Sequence, residues 1–410
     1  MTLNGNNPVS TVEQANLPEI FFVIGTFEIG GAESHLLSLA RSLVQRGWRV
    51  SVYALADGGQ LQRKFEESGA TILSRPKTNR APASFMRRLL RFARTGSHLF
   101  WTMVRHRPAI AHFFLPTAYV AAAPSALFAR VPIRIMSRRS LNFYQADVWG
   151  LRSVERLLHK TTTAVLGNSL SVVRQLRDEG LPSRKLGLIY NGIDVERFRD
   201  GGSREVTRTA IGLTPTTLAL VIVANLIPYK GHRDLIEALR QCQAQLPDPW
   251  HLLIVGRDDG IANKLQVQAA EAGIAENISF LGPRQDIPDL LKACDIGLLC
   301  SHQEGFSNAI LEGMAASLPM IVTDVGGNAE AVLDGVTGIV VPARDPGRLA
   351  EAIACLANDA AMRSNLGAAA RHRLEEHFSL ERCVSSYEEL YRTLLDGKTP
   401  RDAAGVSVDV

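Results

Sequence analysis

The sequence predicts an α/β protein made of two Rossmann-like domains, each built on a parallel sheet. Three features predict it. Apolar, β-rich runs alternate with segments of helical period almost throughout. The runs are continuously apolar rather than alternating, as expected of strands covered by helices on both faces. A polar, glycine-containing stretch at 198–217, holding Asp200-Gly201-Gly202-Ser203, divides the chain into two similar halves.

In chain order, strands are expected near 20–27, 50–56, 71–73, 110–115, 133–137, 163–167 and 186–190, with helices such as 32–45 and 118–128 between them. After the linker the scheme repeats, with strands near 218–224, 251–255, 278–281, 296–300, 320–323 and 339–341. The expected organisation is a flexible segment at 1–17, a first domain at 18–197, the linker at 198–217 and a second domain at 218–378. A helix at 379–395 follows, with Val384, Tyr387, Leu390, Tyr391, Leu394 and Leu395 at helical spacing, and then a polar, disordered tail at 396–410. Ligands of such sheets bind beyond the carboxyl ends of the strands, so a cleft between the domains is the place to look.

Composition narrows the class. Hydrophobic residues make up 46% and charged residues 21% of the 410, which suits a globular protein with a large core. Five scattered cysteines (Cys242, Cys294, Cys300, Cys355 and Cys383) show neither metal-ligand spacing nor an even disulfide set, which fits a reducing compartment and a cytoplasmic location. Residues 1–18 carry no Lys or Arg and no apolar core of a signal peptide. No apolar run is long enough to span a bilayer; the nearest, 109–131, is broken by Pro116, Pro124 and Arg130. The net charge of +4 hides a lopsided distribution, because no carboxylate occurs between Glu67 and Asp147 while arginines crowd the same window.

Three places carry candidate chemistry. The first strand runs into Glu28-Ile29-Gly30-Gly31-Ala32-Glu33 and a helix. The pair Gly30-Gly31 is either a tight turn or a close backbone approach to an anion at a helix N-terminus. It is neither a dinucleotide fingerprint nor a P-loop. In the second half, Lys230 follows a strand end within Asn225-Leu226-Ile227-Pro228-Tyr229-Lys230-Gly231, where a point charge can meet a diphosphate or remain solvated. The strand near 296–300 leads to Glu304-Gly305-Phe306-Ser307-Asn308-Ala309, and then to Glu312 on a short apolar helix expected at about 309–316, with Ser307 or Asn308 as N-cap. A carboxylate on a buried helix needs a partner, which favours a binding role for Glu312 over a surface one.

Taken together these motifs resemble the family 4 retaining glycosyltransferases, of GT-B fold. The resemblance runs over about 20–395. It is carried by Gly30-Gly31-Ala32-Glu33, Asn191-Gly192-Ile193-Asp194, Lys230-Gly231, Leu253-Ile254-Val255-Gly256 and Phe280-Leu281-Gly282. Glu304-Gly305-Phe306, Asn308-Ala309-Ile310-Leu311-Glu312, Pro319, Thr323-Asp324-Val325-Gly326-Gly327 and Gly338-Ile339-Val340-Val341-Pro342 complete it. The resemblance implies that Glu304 holds donor-sugar hydroxyls and Glu312 the ribose. Backbone N–H groups of Gly305, Phe306, Ser307, Asn308 and Ala309, with the Gly30-Gly31 turn, would cradle the diphosphate. Lys230 would neutralise the leaving group and Arg284 would contact the base. The last helix would cross back onto the first domain. The chain departs from the pattern twice. Asn225 stands where the family usually has Arg, with Arg257 able to compensate if it points into the cleft. The place of a frequent family His reads Ser137-Arg138-Arg139-Ser140, while His112, in the strand near 110–115, resembles a different family position on the cleft side or is a satisfied strand histidine.

The implied reaction moves a sugar, with retention, from a nucleoside-diphosphate sugar (UDP- in preference to GDP-) to an acceptor in cell-surface polysaccharide, lipopolysaccharide or glycolipid synthesis. Lys230, Glu304 and His112 are the expected catalytic residues. Front-face attack needs no protein nucleophile, so catalysis reduces to positioning and charge stabilisation. No cofactor is expected, and metal independence follows from the lack of an Asp-x-Asp motif at a strand end; Asp258-Asp259 reads as a surface turn. The basic window, with an amphipathic helix over 84–107 carrying Phe85, Leu89, Phe92, Leu99, Trp101 and Met103, fits a lipid-linked acceptor and a peripheral position on an anionic membrane. Nucleic acid is not expected as a partner. The competing readings are a nucleotide-sugar epimerase of similar architecture, a non-catalytic nucleotide-sugar-binding protein, and a nicotinamide dehydrogenase. The last is disfavoured by the missing glycine fingerprint.

Overall fold

A computed structural model describes residues 17–56, 58–74, 85–142, 150–199 and 202–406 of the chain. The expected flexible segment at 1–17 therefore lies almost wholly outside the described residues, as do the side chains of Phe85, Leu89 and Phe92.

The first domain holds β1 (Glu19–Ile24), β2 (Arg49–Ala54), β3 (Thr71–Ser74), β4 (Ile110–Phe114), β5 (Ile133–Arg138), β6 (Ala164–Gly167) and β7 (Leu186–Leu188). They pair in parallel in the order β3-β2-β1-β4-β5-β6-β7. The second domain holds β8 (Leu218–Val223), β9 (Trp250–Val255), β10 (Ile278–Gly282), β11 (Ile296–Leu299), β12 (Met320–Thr323) and β13 (Gly338–Val341). These are also parallel, in the order β10-β9-β8-β11-β12-β13. The order reverses beside β1 and beside β8, so each sheet opens a switch-point crevice at its carboxyl edge.

The apolar strands bury both faces, as their composition requires. One core cluster of the first domain joins Ile20, Phe22 and Ile24 to helix Gly31–Gln45, while the other joins Phe21 and Val23 to Leu99, Tyr119 and Val172 on the opposite helices. The second domain has a continuous core of its own. Helix Leu380–Leu395 belongs to the first domain's core although it follows the second domain in sequence. The chain crosses back where Ile193 N donates to Phe378 O (3.0 Å) and Leu380 N to Ile193 O (2.8 Å). Tyr387 and Tyr391 are fully buried there, each stabilising the return by roughly 2–3 kcal/mol. Arg46 ties the outer face to Glu381 (2.6 Å) and Glu388 (2.8 Å).

Two segments differ from expectation. The tail does not stay free over 396–406. Thr399 caps a turn of 3-10 helix, Pro400–Asp402, Ala403 and Val406 are buried in the first domain's core, and Leu188 N donates to Val406 O (3.1 Å), so the tail lies along edge strand β7. Residues 407–410 lie outside the described residues. The stretch read as a linker also folds. Its helix Arg204–Ala210 packs on the second domain through Arg208, buried with its guanidinium bonded to Ala293 O (2.7 Å) and Thr214 O (2.9 Å). Polar composition hid both, because each docks through a few buried atoms rather than an apolar stripe.

Candidate active site

The carboxyl edges of the two sheets enclose a cleft cavity of about 470 Å³. The first domain lines it with Gly30, Gly31, Leu115, Arg139, Asn168 and Asn191. The second supplies Asn225, Tyr229, Lys230, Gly256, Arg257, Arg284, Glu304, Phe306, Ser307, Asn308, Ala309 and Glu312. Each of these groups follows the end of a strand, except those carried onward by the helix after β11.

Lys230 closes a turn of 3-10 helix, Pro228–Lys230, after β8. The next residue, Gly231, has φ +73°, and a Cβ there would lie 1.8 Å from Cys300 O, so only glycine brings this turn against β11. That approach sets Lys230 Nζ 2.5 Å from Glu304 Oε1, which also accepts from Ser301 Oγ (2.8 Å). The loop between them is fixed by His302 on Asp234 (2.7 Å).

Helix Asn308–Ala315 starts as its sequence suggests, with Ser307 at the N-cap. The Ser307 side chain makes no capping bond, so the first-turn N–H groups point at the cavity unsatisfied by it. Glu312 follows on the same helix, half-buried between cleft and core. Burial pushes its carboxyl up to about 7, opposed weakly by Arg197. Such a group gains from a ligand hydroxyl that donates to it.

The interdomain wall is polar and bonded across. Asn191 Nδ2 donates to Asn308 Oδ1 (2.7 Å) and Phe306 O (3.0 Å), and Asn308 Nδ2 donates to Gly31 O (3.2 Å). The Gly30-Gly31 turn thus lies directly over the start of the second domain's helix. Phe306 stacks beneath, with ring centroids 5.0 Å from Tyr190 and 5.3 Å from Phe378.

The expected place of His112 in the cleft is corrected. His112 does not reach the cavity. It is fully buried, its Nδ1 bonded with Tyr391 OH (2.8 Å) and its Nε2 with Ser137 Oγ (2.7 Å), and burial lowers its pKa to about 3. It is a satisfied strand histidine that helps dock the crossover helix. Gly305 is not among the lining residues: a Cβ there would meet Arg139 O at 2.3 Å, so the two domains come close at this backbone. Arg257 and Arg284 line the rim but are paired with Asp259 (2.9 Å) and Asp286 (2.5 Å). Exposed pairs of this kind are weak and exchangeable. Asn225 Oδ1 accepts from Arg257 N (3.1 Å), so its amide oxygen holds the neighbouring loop. Asp258 caps the next turn through Gly260, Ile261 and Ala262 N–H groups, a structural use of that carboxylate.

Arg139, Asn168, Asn191 and Tyr229 were not predicted as ligand contacts, although each follows a strand end. That position was the available signal. Among the described residues no cluster of His, Cys, Asp and Glu has metal-ligand geometry, and no helix is long and apolar enough to cross a membrane.

Two facing parallel sheets with a cationic, carboxylate-bearing cleft between them define a two-domain protein of the α/β class. Comparison with known proteins specifies the class. Residues 29–197 match the model "Glycosyltransferase Family 4" and residues 203–373 match "Glycosyl transferases group 1". The chain belongs to the family 4 glycosyltransferases, with the GT-B fold. It is 32% identical over 237 residues to a D-inositol 3-phosphate glycosyltransferase of Geodermatophilus obscurus, covering 55% of this chain and 52% of that protein. It is 29% identical over 217 residues to the lipopolysaccharide core biosynthesis mannosyltransferase LpsB of Rhizobium meliloti, covering 51% and 61%. The matches thus span between half and two thirds of these relatives. Among solved structures, Anabaena HepE in complex with UDP and glucose has a TM-score of 0.80 at 22% identity, covering 92% of this chain and 100% of HepE. WaaG, a glycosyltransferase involved in lipopolysaccharide biosynthesis, has 0.69 at 19%, covering 89% and 98%. At these identities the likeness is one of fold.

Proposed function

We propose that the chain transfers a sugar from a nucleoside-diphosphate sugar, UDP- in preference to GDP-, to an acceptor in lipopolysaccharide, polysaccharide or glycolipid synthesis, with retention at the anomeric carbon. The observation that carries this reading is the meeting of Lys230, Glu304, Glu312 and a free helix N-terminus around one cavity. A diphosphate would lie at the N–H groups of Asn308 and Ala309 with Lys230 beside it. Glu304 would exchange part of its bond to Lys230 for donor-sugar hydroxyls, and Glu312 would accept from the ribose. In the transfer the bond from the anomeric carbon to the diphosphate oxygen breaks and one to the acceptor oxygen forms on the same face. The acceptor's proton passes to the departing diphosphate, with no protein nucleophile. HepE, solved with UDP and with UDP-glucose, supports a uridine donor.

The test is to mix the protein with UDP- and GDP-sugars and follow nucleoside diphosphate release. Slow hydrolysis in the absence of acceptor, and an α-linked product from an α-linked donor by NMR, are expected. Isomerised donor would instead mark an epimerase, and binding without release a silent protein. Turnover unchanged by EDTA is expected of a metal-independent reaction.

The acceptor side is proposed to be lipid-linked, at the cytoplasmic face of an anionic membrane. Trp101, Phe128 and Leu157 are exposed on helices Phe85–His106, Leu115–Phe128 and Leu151–Thr161, with Arg94, Arg105, Arg130, Arg156 and Lys160 exposed around them. Helix contacts place these three side by side on one face of the first sheet. Aromatic and cationic groups mixed in this way suit an anionic interface. Flotation with liposomes containing anionic lipid, lost at high salt, is the expected result; no binding at low salt would remove the membrane from the proposal.

A further inference from the structure

Among the described residues, the cleft leaves one cation without a counter-ion. Lys230 has Glu304 at 2.5 Å, Arg257 has Asp259 at 2.9 Å and Arg284 has Asp286 at 2.5 Å. Arg139 lines the same cavity, and among the described residues no carboxylate stands within ion-pair distance of it. Its bonds go to neutral groups. Nη2 donates to Asn191 Oδ1 (2.6 Å), the Tyr387 hydroxyl lies against the guanidinium, and the Phe114 ring centroid is 5.7 Å away. Nη1 is enclosed and has no hydrogen-bond partner. Glu33, on the helix after Gly30-Gly31, acts on it only through space.

An enclosed charge with no counter-charge is costly, and a cavity-facing one is relieved when a ligand brings the opposite sign. Asn191 fixes where that ligand would be. It accepts from Arg139 and donates to Asn308 and Phe306, so the guanidinium borders the same corner as the N-terminus of helix Asn308–Ala315. We propose that Arg139 is a phosphoryl-binding residue supplied by the first domain, pairing with the sugar-bearing phosphoryl group of the donor at that helix N-terminus. The inference rests on the nucleoside-diphosphate reading above and adds a ligand contact from the opposite domain. Positive charge missing at Asn225 is thereby delivered across the cleft, and the donor's anion bridges the two domains.

The test compares affinities for nucleoside diphosphate and for nucleoside by calorimetry, in wild type, Arg139→Met and Arg139→Lys. The probes are UDP and uridine, or GDP and guanosine if GDP binds the wild type more tightly. Arg139→Met is expected to weaken the diphosphate about ten- to hundred-fold, the range of a charge-assisted hydrogen bond, while nucleoside binding stays at the wild-type level. Arg139→Lys is expected to recover part of the loss, since charge remains without the planar fork. The nucleoside serves as internal control if Arg139→Met lowers the melting temperature. Equal losses for diphosphate and nucleoside, or no loss for either, would overturn the inference while leaving the donor reading intact. A wild-type protein that binds neither diphosphate would overturn both.

Discussion

Glu304 and Lys230 hold each other at 2.5 Å on the cavity wall, so neither is free until a ligand competes. Replacing Lys230 with Ala removes the cation proposed to meet the leaving group, and Glu304 keeps its bond to Ser301, so the fold should persist. Turnover with the true donor and acceptor is expected to fall about 10²–10³-fold in Lys230→Ala and in Glu304→Ala, the range for losing one preorganised electrostatic contact. Near-normal turnover with either variant would count against the site. Glu312 gives a pH signature. Its carboxyl, raised to about 7 by burial, binds its proton more tightly in the folded than in the unfolded chain. The unliganded protein should therefore lose stability as pH rises from the ordinary carboxylate range to about 7, and level off above. Glu312→Gln should be more stable than wild type at pH 8 and similar to it near pH 4, by thermal melts. A ribose hydroxyl donates best to the ionised form, so nucleotide affinity of the wild type should rise through pH 7 and that of Glu312→Gln should not.

Among the elements, the strands were the most legible in the sequence, and the reason is physical. A parallel strand covered on both sides must be apolar along its length, so β8, reading Leu-Ala-Leu-Val-Ile-Val, admits few other interpretations. The glycines at the turns and the cap at Ser307 were legible for the same kind of reason, since backbone geometry restricts the residue. Segments 202–217 and 396–406 were not, because they dock through carbonyls and single side chains that leave no periodic trace. The tail makes a testable case. Val406 and Ala403 are buried against the first domain, and Val406 O accepts from Leu188 N on β7. Deleting 396–410 exposes that patch and leaves an edge-strand donor unpaired. A loss of about 2–4 kcal/mol in unfolding free energy is expected, from one buried aliphatic group and one lost backbone bond. Urea denaturation checks it; an unchanged midpoint would mean the tail is only laid on the surface.

At the scale of the whole molecule, the contacts that close the cleft join residues more than a hundred positions apart, and no single-sequence pattern reports them. His112 shows the consequence: its resemblance to a family position suggested the cleft, yet Tyr391 from the returning helix claims it for packing. A further interdomain contact, outside the cavity, is centred on Glu330. This second-domain carboxylate accepts from Leu170 N (2.7 Å) and Ser171 N (3.0 Å) at the start of first-domain helix Leu170–Asp178, and from Tyr190 OH (3.1 Å). Ser171 Oγ also donates to Gly326 O (2.7 Å). The carboxylate thus sits at the positive end of a helix dipole with four donors in reach, Ser171 Oγ included (3.2 Å), an arrangement that is strong only while the domains stay in this relation. Glu330→Ala should leave each domain's core intact, since its side chain belongs to neither, but shift the equilibrium toward an open cleft. Because the proposed donor site uses both walls of the cleft, KM for the donor is expected to rise about tenfold or more, on the scale of one to two charge-assisted bonds. Small-angle scattering should show a larger radius of gyration without ligand, returning toward the wild-type value at saturating nucleoside diphosphate. A variant with wild-type KM and unchanged scattering would show that the polar wall of Asn191, Asn308 and Gly31 closes the cleft without help from Glu330.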